Sequence, residues 1–333
     1  MRIGTILHGA LGDVYEQALS FRLLHEEFKD HQLIAFFAKQ DRLEAFKHFK
    51  LDMFDEIHPA SKLETTNIDI FKQFQIKDIE LKNDILDNLP RGISNKFDLN
   101  KNWLPWTVLR NHNFNKHPVK LELSEEGISS FKAVLEETGL TEELFDNEFT
   151  VGYLWRYRAS GPQSAVKPYL QKPKKAILES KSKLFSSLIK KHNARIIIAG
   201  MGKDLSFDRN LESSRKDAGV LEGEINSKFA SEKLDINSNR VTYLKGLGYA
   251  AEMEIIARTD LQILMPSGFS EPVWFRNTKR TLIVDAPPVY LLKMLKYRMP
   301  IFNNKNLWSF IYNNFNSHKA CSILSEIKRR KLL

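Results

Sequence analysis

The chain has one cysteine, Cys321, in 333 residues. No intrachain disulfide can form, which fits a reducing compartment. CxxC and HExxH are both absent, so no zinc pattern is present. Apolar runs fall short of the roughly 18–20 residues that a membrane span needs. The opening MRIGTILHGALGD interrupts too short an apolar run with polar residues to be a signal peptide, and the expectation is a cytoplasmic protein. A GxGxxG turn and a Walker A lysine are also missing. That argues against a dinucleotide-dependent oxidoreductase or epimerase and against a P-loop enzyme.

What is present is a soluble, globular composition. Hydrophobic residues make up 42% and charged residues 27%, enough to bury real cores. The formal net charge is +9. Nucleic acid, an anionic membrane surface or an anionic small substrate would each suit that balance, as would a generally lysine-rich composition. The lysines are spread out, with small clusters at 172–175, 181–191 and 328–331. A nucleic-acid binder more often gathers them in one stripe beside aromatics, so no nucleic-acid partner is expected.

Strand and helix patterns alternate. RIGTIL (2–7) reads as a buried strand, and 14–28 carries Val14, Ala18, Phe21, Leu24 and Phe28 at helical spacing. A strand at 32–38, a helix at 42–49 and a strand end at 56–60 follow. Residues 61–120 show no period: they line a substrate cleft or, the preferred reading, form an irregular insertion packed around Trp103 and Trp106. Ser124 caps a helix over 123–140 that Gly139 ends, with Ile128, Phe131 and Leu135 on one face. The alternation then restarts: strand 149–158, helix 182–192, strand 194–202, helix 249–258, strands 259–266 and 280–285, and a helical C-terminal region at 306–328. This is an α/β chain with two Rossmann-like domains facing each other across a cleft. The expected division is 1–145, 146–305 and a C-terminal helix within 306–333.

Ligands of open parallel sheets bind beyond the C-terminal strand ends. HGALGD (8–13) lies at such an end. Gly9 and Gly12 leave room for an acceptor, and Asp13 is either a helix N-cap or a general base. His8 is a second candidate base or a structural histidine. In GYLWRYR, strand alternation puts Arg156 and Arg158 on one face, where they meet a phosphate or pair with carboxylates. PSGFSE places Ser267, Gly268 and Phe269 at a helix start, suited to an anion or to plain capping, with Glu271 one turn in to accept from sugar or ribose hydroxyls. Gly200 belongs to another strand-end loop, IIIAGMG.

The order of these motifs resembles the GT-B glycosyltransferases, particularly the family 9 heptosyltransferase-like group. GALGDVYEQAL matches that group's strand-to-"GDV" turn and helix, and Ser124–Glu126 its "S-E-E" helix. WRYR matches its strand with a basic residue, and IIIAGMG its strand–glycine loop. Glu252, Asp260, Ser267 and Gly268 fall near the places of its "E-x-x-x-I-A-x-x-D-L-x-I-x-x-x-S-G" run. The WR pair is also similar to fucosyltransferase-like GT-B enzymes. Pro266 stands where the pattern has Asp, and SEPVWF lacks its His, a departure that bears on the donor sugar.

The resemblance implies an inverting, metal-independent glycosyltransferase of surface polysaccharide or lipopolysaccharide synthesis. It implies no cofactor beyond a nucleotide-diphosphate sugar as co-substrate. The implied acceptor is a saccharide or lipid-linked saccharide, and the basic surface would touch the inner face of the plasma membrane. Asp13, then His8, would be the base, with Gly9 and Gly12 at the acceptor. Arg156, Arg158, Gly200, Ser267, Gly268, Phe269 and Glu271 would hold the donor.

Overall fold

The computed structural model describes residues 1–9, 11–72, 97–98, 108–109, 112, 117, 119–154, 175–199, 236, 238–244, 248–264, 273, 276, 280–284, 320–329 and 331–333. The first half of the chain supplies strands β1 (Arg2–Leu7), β2 (Gln32–Phe37), β3 (Glu56–Pro59), β4 (Ile70–Lys72) and β5 (Phe97–Asp98). They form one sheet in the order β3-β2-β1-β4-β5, and every pairing is parallel. The second half supplies β6 (Thr150–Leu154), β7 (Arg195–Ala199), β8 (Val241–Tyr243), β9 (Leu261–Leu264) and β10 (Thr281–Ile283). Their order is β10-β9-β6-β7-β8, again all parallel. Read from the third strand of each half, both sheets follow the same doubly wound order, 3-2-1-4-5. The chain is therefore an α/β protein of two Rossmann-like sheets, as its alternation predicts.

Helices α1 (Leu11–Leu23), α2 (His25–Phe28) and α3 (Gln40–Phe46) belong to the first sheet. Helices α4 (Glu125–Thr138) and α5 (Leu144–Asn147) lead to the second, which carries α6 (Lys175–His192) and α7 (Tyr249–Arg258). Helix α8 (Ala320–Arg329) packs on α6, and the Ala320 N–H donates to Ser180 Oγ at 2.6 Å. Among the described residues no helix is long and apolar enough to cross a membrane.

The central strands are buried on both faces, which is why they read as continuous apolar runs. In β2, Leu33, Ala35 and Phe37 join the large core, while Ile34 and Phe36 face a smaller cluster with Ile6, Leu63, Ile68 and Phe71. In β6, Val151, Tyr153 and Leu154 are all buried, so no face of this segment is exposed.

The two sheets share construction details. Asp69, just before β4, accepts from the Arg2 N–H at 2.8 Å. Asp260, just before β9, accepts from the Thr150 N–H at 2.9 Å and the Thr150 hydroxyl at 3.0 Å. The registers correspond: Ile3 faces Ile70 as Val151 faces Leu261. Gly4 and Gly152 hold the third place in the two central strands. A Cβ there would lie 2.7 Å from Phe71 Cε1 and 2.7 Å from Thr259 Oγ1 respectively. The aspartate matched to the glycosyltransferase run is thus a clamp at the N-terminal end of its strand, remote from the ligand-bearing end.

Several expectations change. The described part of 61–120 supplies β4, which pairs directly with β1, and β5, while Trp103 and Trp106 lie outside the described residues. These strands of three and two residues are too short to leave a periodic signal. Ser124 does cap α4, accepting from the Gly127 N–H at 3.2 Å, and Gly139 closes it at φ +66°. Yet Ile128 is 42% exposed. The buried face runs through Gly127, Phe131, Val134 and Leu135, because α4 docks through its glycine on the backbone. A Cβ at Gly127 would sit 2.1 Å from the His48 carbonyl oxygen.

Helix α7 joins the halves. Its Tyr249 ring contacts Phe46 and Phe49 at centroid distances of 6.3 and 6.0 Å, and Tyr15 meets Phe49 at 5.8 Å. The same helix packs on α4, β6 and β7.

Candidate functional site

In each sheet the chain reverses its winding between the first and fourth strands, which opens a crevice at their C-terminal ends. In the first sheet that point lies between β1 and β4, and residues 8–13 leave β1 there. Gly9 has φ +95°, a left-handed conformation that glycine takes without strain. Asp13 is the third residue of α1, not its N-cap. A carboxylate in this first turn is favoured by the helix dipole. Its side chain is packed close over Gly9: a Cβ on that glycine would lie 2.8 Å from Asp13 Oδ2.

Asp13 is exposed, while His8 is buried at 8% exposure. Only the former faces solvent, so of the two candidate bases it has the access that proton transfer to a soluble substrate needs. Gly12 is buried in the first turn of α1, and Gly9 is half-buried at the loop.

Two further residues hold this loop and escaped the sequence reading. Gln17 is buried, and its Nε2 donates to the His8 carbonyl at 2.8 Å and to the Asp13 carbonyl at 3.0 Å. Its Oε1 accepts from the His8 N–H at 3.4 Å. The available signal was a glutamine one place from Ala18 on the buried stripe. Arg42 of α3 directs its Nε at the Gly9 carbonyl, 3.4 Å away.

In the second sheet the corresponding point lies between β6 and β9. Leu154 at the end of β6 is in register with Ala199 at the end of β7 and with Leu264 at the end of β9. Three strands therefore end side by side, level with one another. Arg156 and Arg158 follow the first, Gly200 the second, and Ser267, Gly268, Phe269 and Glu271 the third. All seven lie outside the described residues, as does the WR pair.

A charged cluster stands where the halves meet. Glu254 of α7 accepts from both Arg276 Nη1 and Arg276 Nη2, the latter at 2.9 Å, and from Arg258 Nε at 3.1 Å. Burial alone would raise its pKa. The hydrogen bonds and charge of Arg276, with Lys120 and Arg258, outweigh burial and hold it at about 2. Burial, reinforced by the charge of Arg276, lowers the pKa of Lys120 from the first half. Burial lifts Tyr15 to about 12, and its hydroxyl accepts from the Leu121 N–H at 3.3 Å. Arg258 also reaches Glu142 at 2.7 Å and lies 4.4 Å over the Phe131 ring.

No protein-family model and no curated protein matches the chain. Solved structures do. A family 9 glycosyl transferase from Veillonella parvula is similar over 99% of this chain and 97% of its own, with 14% identity and a TM-score of 0.58. Escherichia coli ADP-heptose lps heptosyltransferase II is similar over 85% of this chain and 84% of its own, at 13% identity and 0.52. E. coli heptosyltransferase WaaC with ADP is similar over 99% and 98%, at 11% identity and 0.51. The chain has the GT-B fold. At these identities the likeness is one of architecture, and it spans both sheets. In GT-B terms, the crevice after β1 belongs to the first Rossmann-like unit, and the three level strand ends belong to the second.

Proposed function

We propose that this chain is a glycosyltransferase. It moves a sugar from a nucleotide-diphosphate sugar to a saccharide or lipid-linked saccharide acceptor in surface polysaccharide or lipopolysaccharide synthesis. The observation that carries this reading is the likeness, along nearly the whole chain, to glycosyltransferases, one of them solved with ADP.

The chemistry makes two demands. The acceptor hydroxyl attacks the anomeric carbon while its proton leaves, and the bond from that carbon to the diphosphate oxygen breaks. A base must therefore sit opposite the leaving group. Asp13, exposed at the β1 crevice, takes that role, and direct attack inverts the anomeric centre. The departing diphosphate gathers negative charge, which preorganised donors offset. Arg156, Arg158, Ser267, Gly268 and Phe269 supply them without a metal. Glu271 accepts from donor hydroxyls, and Gly200 lets the ligand approach the backbone. Lysines on the basic surface each contribute about 1 kcal/mol toward an anionic membrane carrying the acceptor.

A thermal-shift screen with ADP, UDP, GDP and CMP and their sugars tests the class. A selective rise in melting temperature is expected with one nucleotide and its sugars, and a flat panel rejects the reading. With the donor so found, Asp13→Asn abolishes turnover while leaving the nucleotide-induced shift intact. Wild-type turnover in that variant removes Asp13 from the role.

A further inference from the structure

We propose that Arg42 is a positioning residue for Asp13, acting through the Gly9 peptide. For its effect on turnover, this rests on Asp13 being the acceptor's base. Arg42 is 3% exposed. A guanidinium so buried requires partners. Its Nη1 is 2.7 Å from Asp41 Oδ2, which fixes one edge of the fork and presents Nε to the Gly9 carbonyl. Helix α3 follows β2, the direct neighbour of β1, so Arg42 is placed beside the end of β1.

Gly9 is the link. One side of its peptide faces the guanidinium, and its α-carbon lies under the Asp13 carboxylate. A single methyl there would stand 2.8 Å from Oδ2 and 2.9 Å from Cβ of Asp13. The loop is thus held from two directions: by Gln17 through the His8 and Asp13 carbonyls, and by Arg42 through the Gly9 carbonyl. Removing the second hold lets Gly9 turn, and the seat of the carboxylate turns with it. Lysine cannot replace it, because one ammonium lacks the planar fork that engages Asp41 and Gly9 together. For a group that acts only in hydrogen-bond reach, misplacement by about 1 Å costs on the order of 100-fold in rate.

The test is carbon-13 NMR of the full chain labelled at aspartate Cγ, with the Asp13 resonance assigned by its loss in Asp13→Asn. Arg42→Gln and Arg42→Lys are compared with Arg22→Gln, which breaks the α1 contact to Asp52 at 2.8 Å. The Asp13 resonance is expected to move in both Arg42 variants and to stay in place in Arg22→Gln. Should Arg42→Gln not fold, Arg42→Lys alone decides. An unmoved resonance in a folded Arg42 variant, or an equal movement in Arg22→Gln, overturns the proposal. In transfer from the nucleotide sugar that most stabilises the wild type, Arg42→Lys is expected to lower kcat about 10- to 100-fold with donor KM unchanged. A rise in KM with kcat kept overturns the positioning role. If Asp13→Asn turns over normally, the base assignment fails separately, and the resonance still reads the contact.

Discussion

Replacing Glu254 by glutamine isolates the charge at the junction of the two halves. The side chain is 7% exposed and accepts from Arg276 and Arg258. Its pKa lies at about 2 against an ordinary 4.5. At about 1.4 kcal/mol per unit, that gap makes the ionised carboxylate worth about 3 kcal/mol to the folded chain. The figure agrees with the 3–5 kcal/mol typical of removing one partner from a buried ion pair. Because the folded pKa is depressed, the contribution is complete above about pH 4.5 and is lost as pH falls toward 2. Urea unfolding of wild type and Glu254→Gln at a series of pH values reads it directly. The variant is expected to be about 3 kcal/mol less stable at pH 7, and the two curves converge on acidification. A gap below about 1 kcal/mol at neutral pH, or one that persists unchanged to pH 2, refutes the argument.

Gly127→Ala forces a methyl into the His48 carbonyl at 2.1 Å and should destabilise by about 3 kcal/mol or more, seen as a lower Tm. Asp260→Ala removes two hydrogen bonds to buried Thr150 and should cost about 2–3 kcal/mol. The equivalent Asp69→Ala loses one exposed bond to Arg2 and should cost about 1 kcal/mol. Equal denaturation midpoints for these two aspartate variants would contradict that ranking.

Much of this fold can be read along the chain, for identifiable reasons. Central strands such as QLIAFF and RIIIA are buried on both faces and show as unbroken apolar runs. Helix α7 matches its expected bounds because YAAEMEIIAR is apolar and ends beside Thr259, in an extended conformation. The strands IFK, FD and VTY are illegible, since two or three residues cannot display a period. The pattern of α4 misplaces Ile128 because apolar spacing cannot show that a glycine is the point of closest approach. His8, Gly9 and Asp13 are candidates because ligands of such sheets bind at strand ends. Gln17 and Arg42 do not follow from that rule. In this loop they meet backbone groups, and Arg42 lies 33 residues from the Gly9 carbonyl it meets.

The paired aspartate clamps at the feet of the two sheets have a consequence for how such a chain can vary. Each pins its central strand at the floor, a full strand length from the rim where substrates would enter. Each sheet is thereby stapled at the end opposite the one where ligands of such sheets bind. Residues at the opposite strand ends can then be rewritten for new ligands while the scaffold beneath them stays put. A lineage built in this way can lose nearly all resemblance in its letters and still keep its shape.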